Sequence, residues 1–194
     1  MLSYKESLKI LKETNALLEG HFILSSGLHS SQYIQCAKLL SYPKKAEIIC
    51  SSLAKKIKEN ANKIDIIMSP AIGGIVVGYE IGRQLNLETI FSERANGKLI
   101  LRRGFEIKKN SNVLIVEDVI TTGKSAIECS DIVKLYNGNV VGYACIIDRS
   151  SNSLMIKDKI ISQIKIDMPT FDSNKLPDSL KNIKPVKPGS RNVS

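Results

Sequence analysis

Apolar and polar positions alternate along the chain in two rhythms, one helical and one strand-like, and the rhythms succeed one another over most of its length. Across residues 2 to 19, Leu8, Leu11, Leu17 and Leu18 fall on one side with lysines and glutamates opposite, which predicts an amphipathic helix stopped by Gly20. His21 to Gly27 and Ser30 to Ile34 read as two short strands about a glycine turn, a candidate lid or a cap on a sheet edge. Pro43 opens a helix to about Lys58, at the first-turn position that proline tolerates. Lys63 to Met68 is a strand ended by Ser69-Pro70, and the small-residue turn Ala71-Ile72-Gly73-Gly74 leads into a helix from Ile75 to Leu85. Glu88 to Phe91 is a further strand, Ser92 to Lys98 a polar loop, and Leu99 to Phe105 the returning strand of a hairpin. Asn139 to Ile147 and Ile160 to Ile166 complete the strands, and from Met168 a tail rich in Pro, Lys, Ser and Asn is expected to wrap the surface or fray.

The abrupt change of pattern comes at Val113 to Ser125. An unbroken apolar run, Val113-Leu114-Ile115-Val116, ends in two carboxylates, Glu117 and Asp118, then Val119-Ile120 and Thr121-Thr122-Gly123-Lys124-Ser125. Helix-like spacing of Ile127, Ile132, Val133 and Leu135 follows. A buried strand, a polar turn and a helix start make an anion site, because the first amides of a helix are free and its dipole is positive there. The Walker phosphate loop is excluded, since it needs glycine five positions before Gly123, where Asp118 stands. What remains is a phosphate cradle with two acids upstream, suited to the vicinal hydroxyls of a ribose whose 5-phosphate sits on the helix. An ordinary strand-to-helix turn capped by acids is the plain alternative.

Two further turns carry candidate chemistry. Arg94 and Lys98 lie in the polar hairpin loop, where cations could shield a pyrophosphate or decorate a solvated tip. Arg149, in Asp148-Arg149-Ser150 at the end of a buried strand, could meet an anion with both arms of its guanidinium or form a surface pair with Asp148.

Composition narrows the class. The 194 residues, 43% of them hydrophobic, allow one α/β domain with a five-stranded parallel sheet covered on both faces. No apolar run is long enough to span a bilayer, and Met1 to Glu6 lacks the order of a signal peptide. Cys36, Cys50, Cys129 and Cys145 are scattered without metal-ligand spacing, as in a reduced cytoplasmic protein. The net charge of +9 comes from dispersed lysines with no tryptophan among the aromatics, which argues against nucleic acid and for a solvated surface attractive to anionic small molecules.

The central motif resembles the phosphoribosyl-diphosphate (PRPP) site of the type I phosphoribosyltransferases. Phe22-Ile23-Leu24-Ser25-Ser26-Gly27, the Ala95-to-Phe105 hairpin, the central motif and Asp148-Arg149-Ser150 together resemble the orotate phosphoribosyltransferase family over nearly the whole chain. The closing Lys187-Pro188-Gly189-Ser190-Arg191 is similar to one branch of it.

That resemblance implies an α/β fold with a mostly parallel central sheet flanked by helices and a small N-terminal hood. The expected division is residues 1–40 for the N-terminal helix and hood, 41–167 for the core and 168–194 for the tail, within one domain. It implies transfer of ribosyl phosphate from PRPP to orotate with Mg²⁺, held mainly by PRPP with Asp118 as a candidate ligand. A homodimer sharing its mobile loops across the interface is implied as well.

Residue by residue, it assigns Glu117, Asp118 and Lys98 to catalysis, and Glu117, Asp118, Val119, Ile120, Thr121, Thr122, Gly123, Lys124, Ser125 and Arg94 to PRPP. Thr121, Arg149, Ser25 and Gly27 are assigned to orotate, with Ser26 as an added donor. Enteric members carry lysines where Ser25 and Gly73 stand, and a longer loop than this chain has between Glu93 and Leu99.

Overall fold

The computed structural model describes residues 1–24, 26–61, 63–151 and 153–188. In chain order the elements begin with α1 (Tyr4–Glu13), β1 (Leu17–Ile23), β2 (His29–Ile34), α2 (Cys36–Leu40) and α3 (Pro43–Asn60). They continue with β3 (Ile66–Pro70), α4 (Gly73–Leu85), β4 (Glu88–Ala95), β5 (Lys98–Leu101), β6 (Asn112–Ile120) and α5 (Lys124–Leu135). Last come β7 (Asn139–Asp148), β8 (Ile160–Lys165), β9 (Thr170–Phe171) and α6 (Asp178–Lys181).

The first helix is shorter than its leucine spacing suggests. Ser3 accepts from the Glu6 amide while the Glu6 carboxylate accepts from the Ser3 amide at 2.7 Å, a reciprocal cap on α1. Asn15 then takes a left-handed φ of 54° and the chain turns away. Leu17 and Leu18 therefore belong to β1, and Gly20 lies inside that strand rather than ending a helix. Both periodicities place Leu17 against the same core, which is why the pattern alone misassigns it.

β1 and β2 pair antiparallel, from Leu17 opposite Ile34 to Ile23 opposite His29. The tail does not simply wrap past them: β9 adds to the far edge of β2, and Val186 bridges to Phe22. A buried histidine pair adds to this junction, with 2.6 Å between His21 Nε2 and His29 Nδ1 and 2.7 Å from His21 Nδ1 to the Ile183 carbonyl. That carbonyl can only accept, so His21 Nδ1 is the donor.

The second sheet has six strands in the order β5-β4-β3-β6-β7-β8, parallel except for β5 at one edge. It thus exceeds the five strands expected by the hairpin strand β5. Successive residues of the central strands face opposite sides, as strand geometry requires. Ile67, Leu114 and Val116 pack with α3 and α4 in one core cluster, while Met68, Ile115 and Val113 pack with α5 in the other. From β3 the chain crosses to β4 over one face, and from β6 it crosses to β7 over the opposite face. The strand order therefore reverses between β3 and β6, where a crevice opens outside the carboxyl ends of the strands.

Two boundaries differ from expectation in ways that matter for the site. β6 continues past Val116 through both acids to Ile120, because β7 keeps pairing with it as far as Asp148. β4 likewise runs on to Ala95, so the expected loop shrinks to a turn at Asn96-Gly97 with φ of 49° and 82°. Two positive φ values favour asparagine and glycine in a two-residue hairpin. The returning strand stops at Leu101, where Arg103 and Gly104 turn the chain with φ of 63° and 73°.

Candidate active site

Three turns meet at the reversal of strand order. Residues Ala71–Ile72 follow β3, Thr121–Gly123 follow β6, and Arg149–Ser150 follow β7. Backbone bonds fix the last two together: the Arg149 amide donates to the Ile120 carbonyl at 2.8 Å, and the Met155 amide to the Thr122 carbonyl at 2.8 Å.

Gly123 is the N-cap of α5 and holds a left-handed φ of 76°. A Cβ there would come within 2.8 Å of the Ile156 side chain, so both backbone and space call for glycine. Thr121, Thr122 and Lys124 are exposed around this helix start and Ser125 half-exposed, an open cradle with the positive end of α5 behind it.

The two acids sit at the end of β6 on opposite faces. Asp118 lies against the first turn of α4, and its Oδ1 accepts from the Val119 amide at 2.9 Å. Glu117 falls on the α5 side. Burial pushes the Glu117 carboxyl up to about 8, helped by the nearby Asp118 charge. Burial also raises Asp118, against the opposing pull of the Val119 amide. Burial thus favours the protonated form of Glu117.

Arg149 is half-buried, and its Nε finds no hydrogen-bond partner among the described residues. Burial lowers its pKa, offset by the Tyr33 phenol of β2, which places the hood beside this arginine. The surface pair with Asp148 is not formed: Asp148 is buried, accepts from the Ser150 amide at 2.7 Å and lies 3.9 Å from Lys165. A guanidinium in a partly desolvated place, with its Nε unpartnered among the described residues, has the chemistry to receive a planar anion.

The comparisons with known proteins agree on what such a site belongs to. The phosphoribosyl transferase domain pattern matches residues 40–177. An orotate phosphoribosyltransferase of Caldicellulosiruptor bescii is 48% identical over 95% of this chain and 96% of its own length. The chain belongs to the orotate phosphoribosyltransferase family. Among solved structures, that of the orotate enzyme of Aeropyrum pernix superposes with a TM-score of 0.70 at 22% identity, covering 81% of this chain and 92% of that one. An adenine phosphoribosyltransferase of Thermoanaerobacter pseudethanolicus superposes with a TM-score of 0.60 at 19% identity, covering 70% of this chain and 88% of that one. The type I phosphoribosyltransferase fold is thus shared between bases, and the fold by itself does not choose one.

The remaining positions singled out for this family are spread more widely. Arg94 is turned onto α5, 2.9 Å from Glu128, and its other arm meets the Gly97 carbonyl. Lys98 is exposed at the start of β5. Gly27 is exposed in the β1–β2 turn with a φ of 84°, and Ser26 beside it is exposed too. Ser25 lies outside the described residues.

Sequence reasoning passed over Tyr33 and Ile156, which reach the site from distant segments.

Proposed function

We propose that this chain transfers the 5-phosphoribosyl group of PRPP to orotate, forming orotidine 5′-monophosphate and pyrophosphate in pyrimidine synthesis. The unpartnered fork of Arg149 beside the phosphate cradle carries this reading, and the 48% identity to a named orotate enzyme supports it. In the reaction the bond from ribose C1 to the pyrophosphate oxygen breaks, and C1 bonds to a ring nitrogen of orotate, whose proton leaves with the pyrophosphate. Positive charge develops on the ribose between these events. Glu117 and Asp118, at the end of β6, are the residues we assign to stabilise it, and the amides of Thr121 to Ser125 those we assign to the 5-phosphate. Thr121 and Arg149 orient the base, with Ser26 and the Gly27 region as further donors and Ser25, outside the described residues, assigned to orotate by the family resemblance.

The donor set suits Mg²⁺. One or two carboxylates sharing the ion with ligand phosphates is its ordinary mode, and Asp118 offers a carboxylate beside the phosphate cradle. Asp118 is the residue that would share it. Bound with PRPP, the ion supplies charge neutralisation for the departing pyrophosphate. Arg94 and Lys98 are the cations we assign to PRPP and catalysis.

A homodimer that shares its hairpin loops completes the reading. Exposed apolar side chains at the N-cap and on the first turns of α4, with Ile72 at 85%, Val76 at 48% and Tyr79 at 66% exposure, support a second copy as their cover. Four free, buried thiols support a reducing cytoplasm.

The test is spectrophotometric. Orotate absorbance should fall when PRPP and Mg²⁺ are added, and EDTA should stop it. Light scattering on the same sample should give a dimer. No consumption of orotate would contradict the proposed function, and full activity from a monomer would contradict the shared loop.

A further inference from the structure

We infer that Glu128 of α5 is a positioning residue for Arg94: from the helix it grips the guanidinium of the hairpin and aims it for an anion. The inference rests on the proposed function, which gives Arg94 to PRPP. Alternation along β4 sets the directions. Ser92 faces α5, its Oγ 3.3 Å from Cys129 Sγ, and Arg94, two residues on, faces the same way. Glu93 between them turns to the opposite face, where it lies 3.7 Å from Arg102 and 2.9 Å from Arg103. Arg94 Nη2 comes within 2.9 Å of Glu128 Oε2, and Nη1 donates to the Gly97 carbonyl at the hairpin turn.

The pair is built unevenly. Glu128 Oε2 is buried and accepts no aligned hydrogen bond among the described residues, so it holds Arg94 by charge at short range. The arginine side chain is 43% exposed against 24% for the glutamate, which leaves the guanidinium a face for a ligand. The charges of Glu117, Glu128 and Arg94 all reach the buried thiol of Cys129, so the pair stands on the same side of the sheet as the site's own acid. An exposed ion pair adds little to stability, and its effect on anion binding is the more telling one. Two contributions oppose each other there. The carboxylate cancels part of the arginine's charge, which weakens anion binding. It also fixes a long side chain in advance, which spares an ordering cost equivalent to about two- to tenfold in affinity. The second prevails if Glu128 positions Arg94, and the two carry opposite signs.

A double-mutant cycle tests this. The KM values for PRPP and orotate are measured for the parent, Glu128→Ala, Arg94→Ala and the double variant. Calorimetry with pyrophosphate and Mg²⁺, and thermal unfolding, are run on all four. Glu128→Ala should raise the KM for PRPP and the Kd for pyrophosphate by about three- to tenfold. The KM for orotate should stay within about twofold, and Tm should hold. In the Arg94→Ala background the same change should cost less than about twofold, because the group it positions is gone. Glu128→Gln, which keeps an acceptor at the same reach, should fall between parent and Glu128→Ala. Tighter binding of pyrophosphate by Glu128→Ala would show that the carboxylate competes for the arginine, and equal losses in both backgrounds that it acts elsewhere. A lowered Tm with unchanged PRPP and pyrophosphate constants would show a structural link only. Each of these results would overturn the inference. A parent that leaves orotate unconsumed would instead overturn the functional reading, and this inference with it.

Discussion

Glu117 shows how a single residue couples stability to function at this site. Its carboxyl is pushed up to about 8 by burial, whereas in an unfolded chain it titrates near 4.5. Between those values the folded protein binds a proton that the unfolded chain has lost, so stability falls as pH rises through that window. Glu117→Gln cannot ionise. Denaturant unfolding should find it more stable than the parent by roughly 1–3 kcal/mol at pH 8, with the difference vanishing towards pH 4.5. A difference that grows on acidification would reverse the sign and refute the assigned environment. Adjacent acids after an apolar run were legible in the sequence because composition changes so sharply there. Their facing was not, since the strand's true end depends on pairing with β7. The neighbours of Asp118 and Arg149, Gly73 and Tyr33, come from segments far away in the chain and leave no local pattern.

At the scale of elements, the cradle depends on how β6 passes into α5. Gly123 combines a φ of 76° with a 2.8 Å approach of its would-be Cβ to Ile156. Gly123→Ala should therefore destabilise the fold by roughly 1–3 kcal/mol in urea and raise the KM for PRPP together with it. Parent-like stability and KM would show that the turn tolerates a side chain and the cradle does not need its geometry.

Helices α3, α4 and α5 and the parallel strands were readable because long apolar segments bounded by Pro, Gly and polar runs carry one dominant rhythm. α1 was overextended because leucines four or so residues apart serve a helix and then a strand. The cationic hairpin was misjudged for a different reason. Its polar side chains suggest a loop, but Ser92 to Ala95 are held by pairing with β5, and the Asn-Gly turn closes it in two residues.

Over the whole molecule, the candidate site lies at the carboxyl ends of the six-stranded sheet, and the tail braces the hood. The tail was expected to wrap the surface or fray, yet it supplies β9 to the hood sheet and the Ile183 carbonyl to the His21–His29 pair. This arrangement sets β2, and with it Tyr33, beside Arg149. In the proposed function, choice of base belongs to the core and hood together. The shared fold leaves it open, and Arg149 is the residue proposed to decide it. Orotate differs from uracil by a carboxylate, and a site built for a polar group rejects an analogue lacking it by about 10⁴-fold or more. The decisive measurement is the ratio of kcat/KM for orotate over uracil, in the parent and in Arg149→Ala. The parent ratio should be about 10⁴ or higher and should collapse by at least about a hundredfold in the variant, with the KM for PRPP nearly unchanged. A parent ratio near one, or a ratio that survives loss of the arginine, would contradict the assignment.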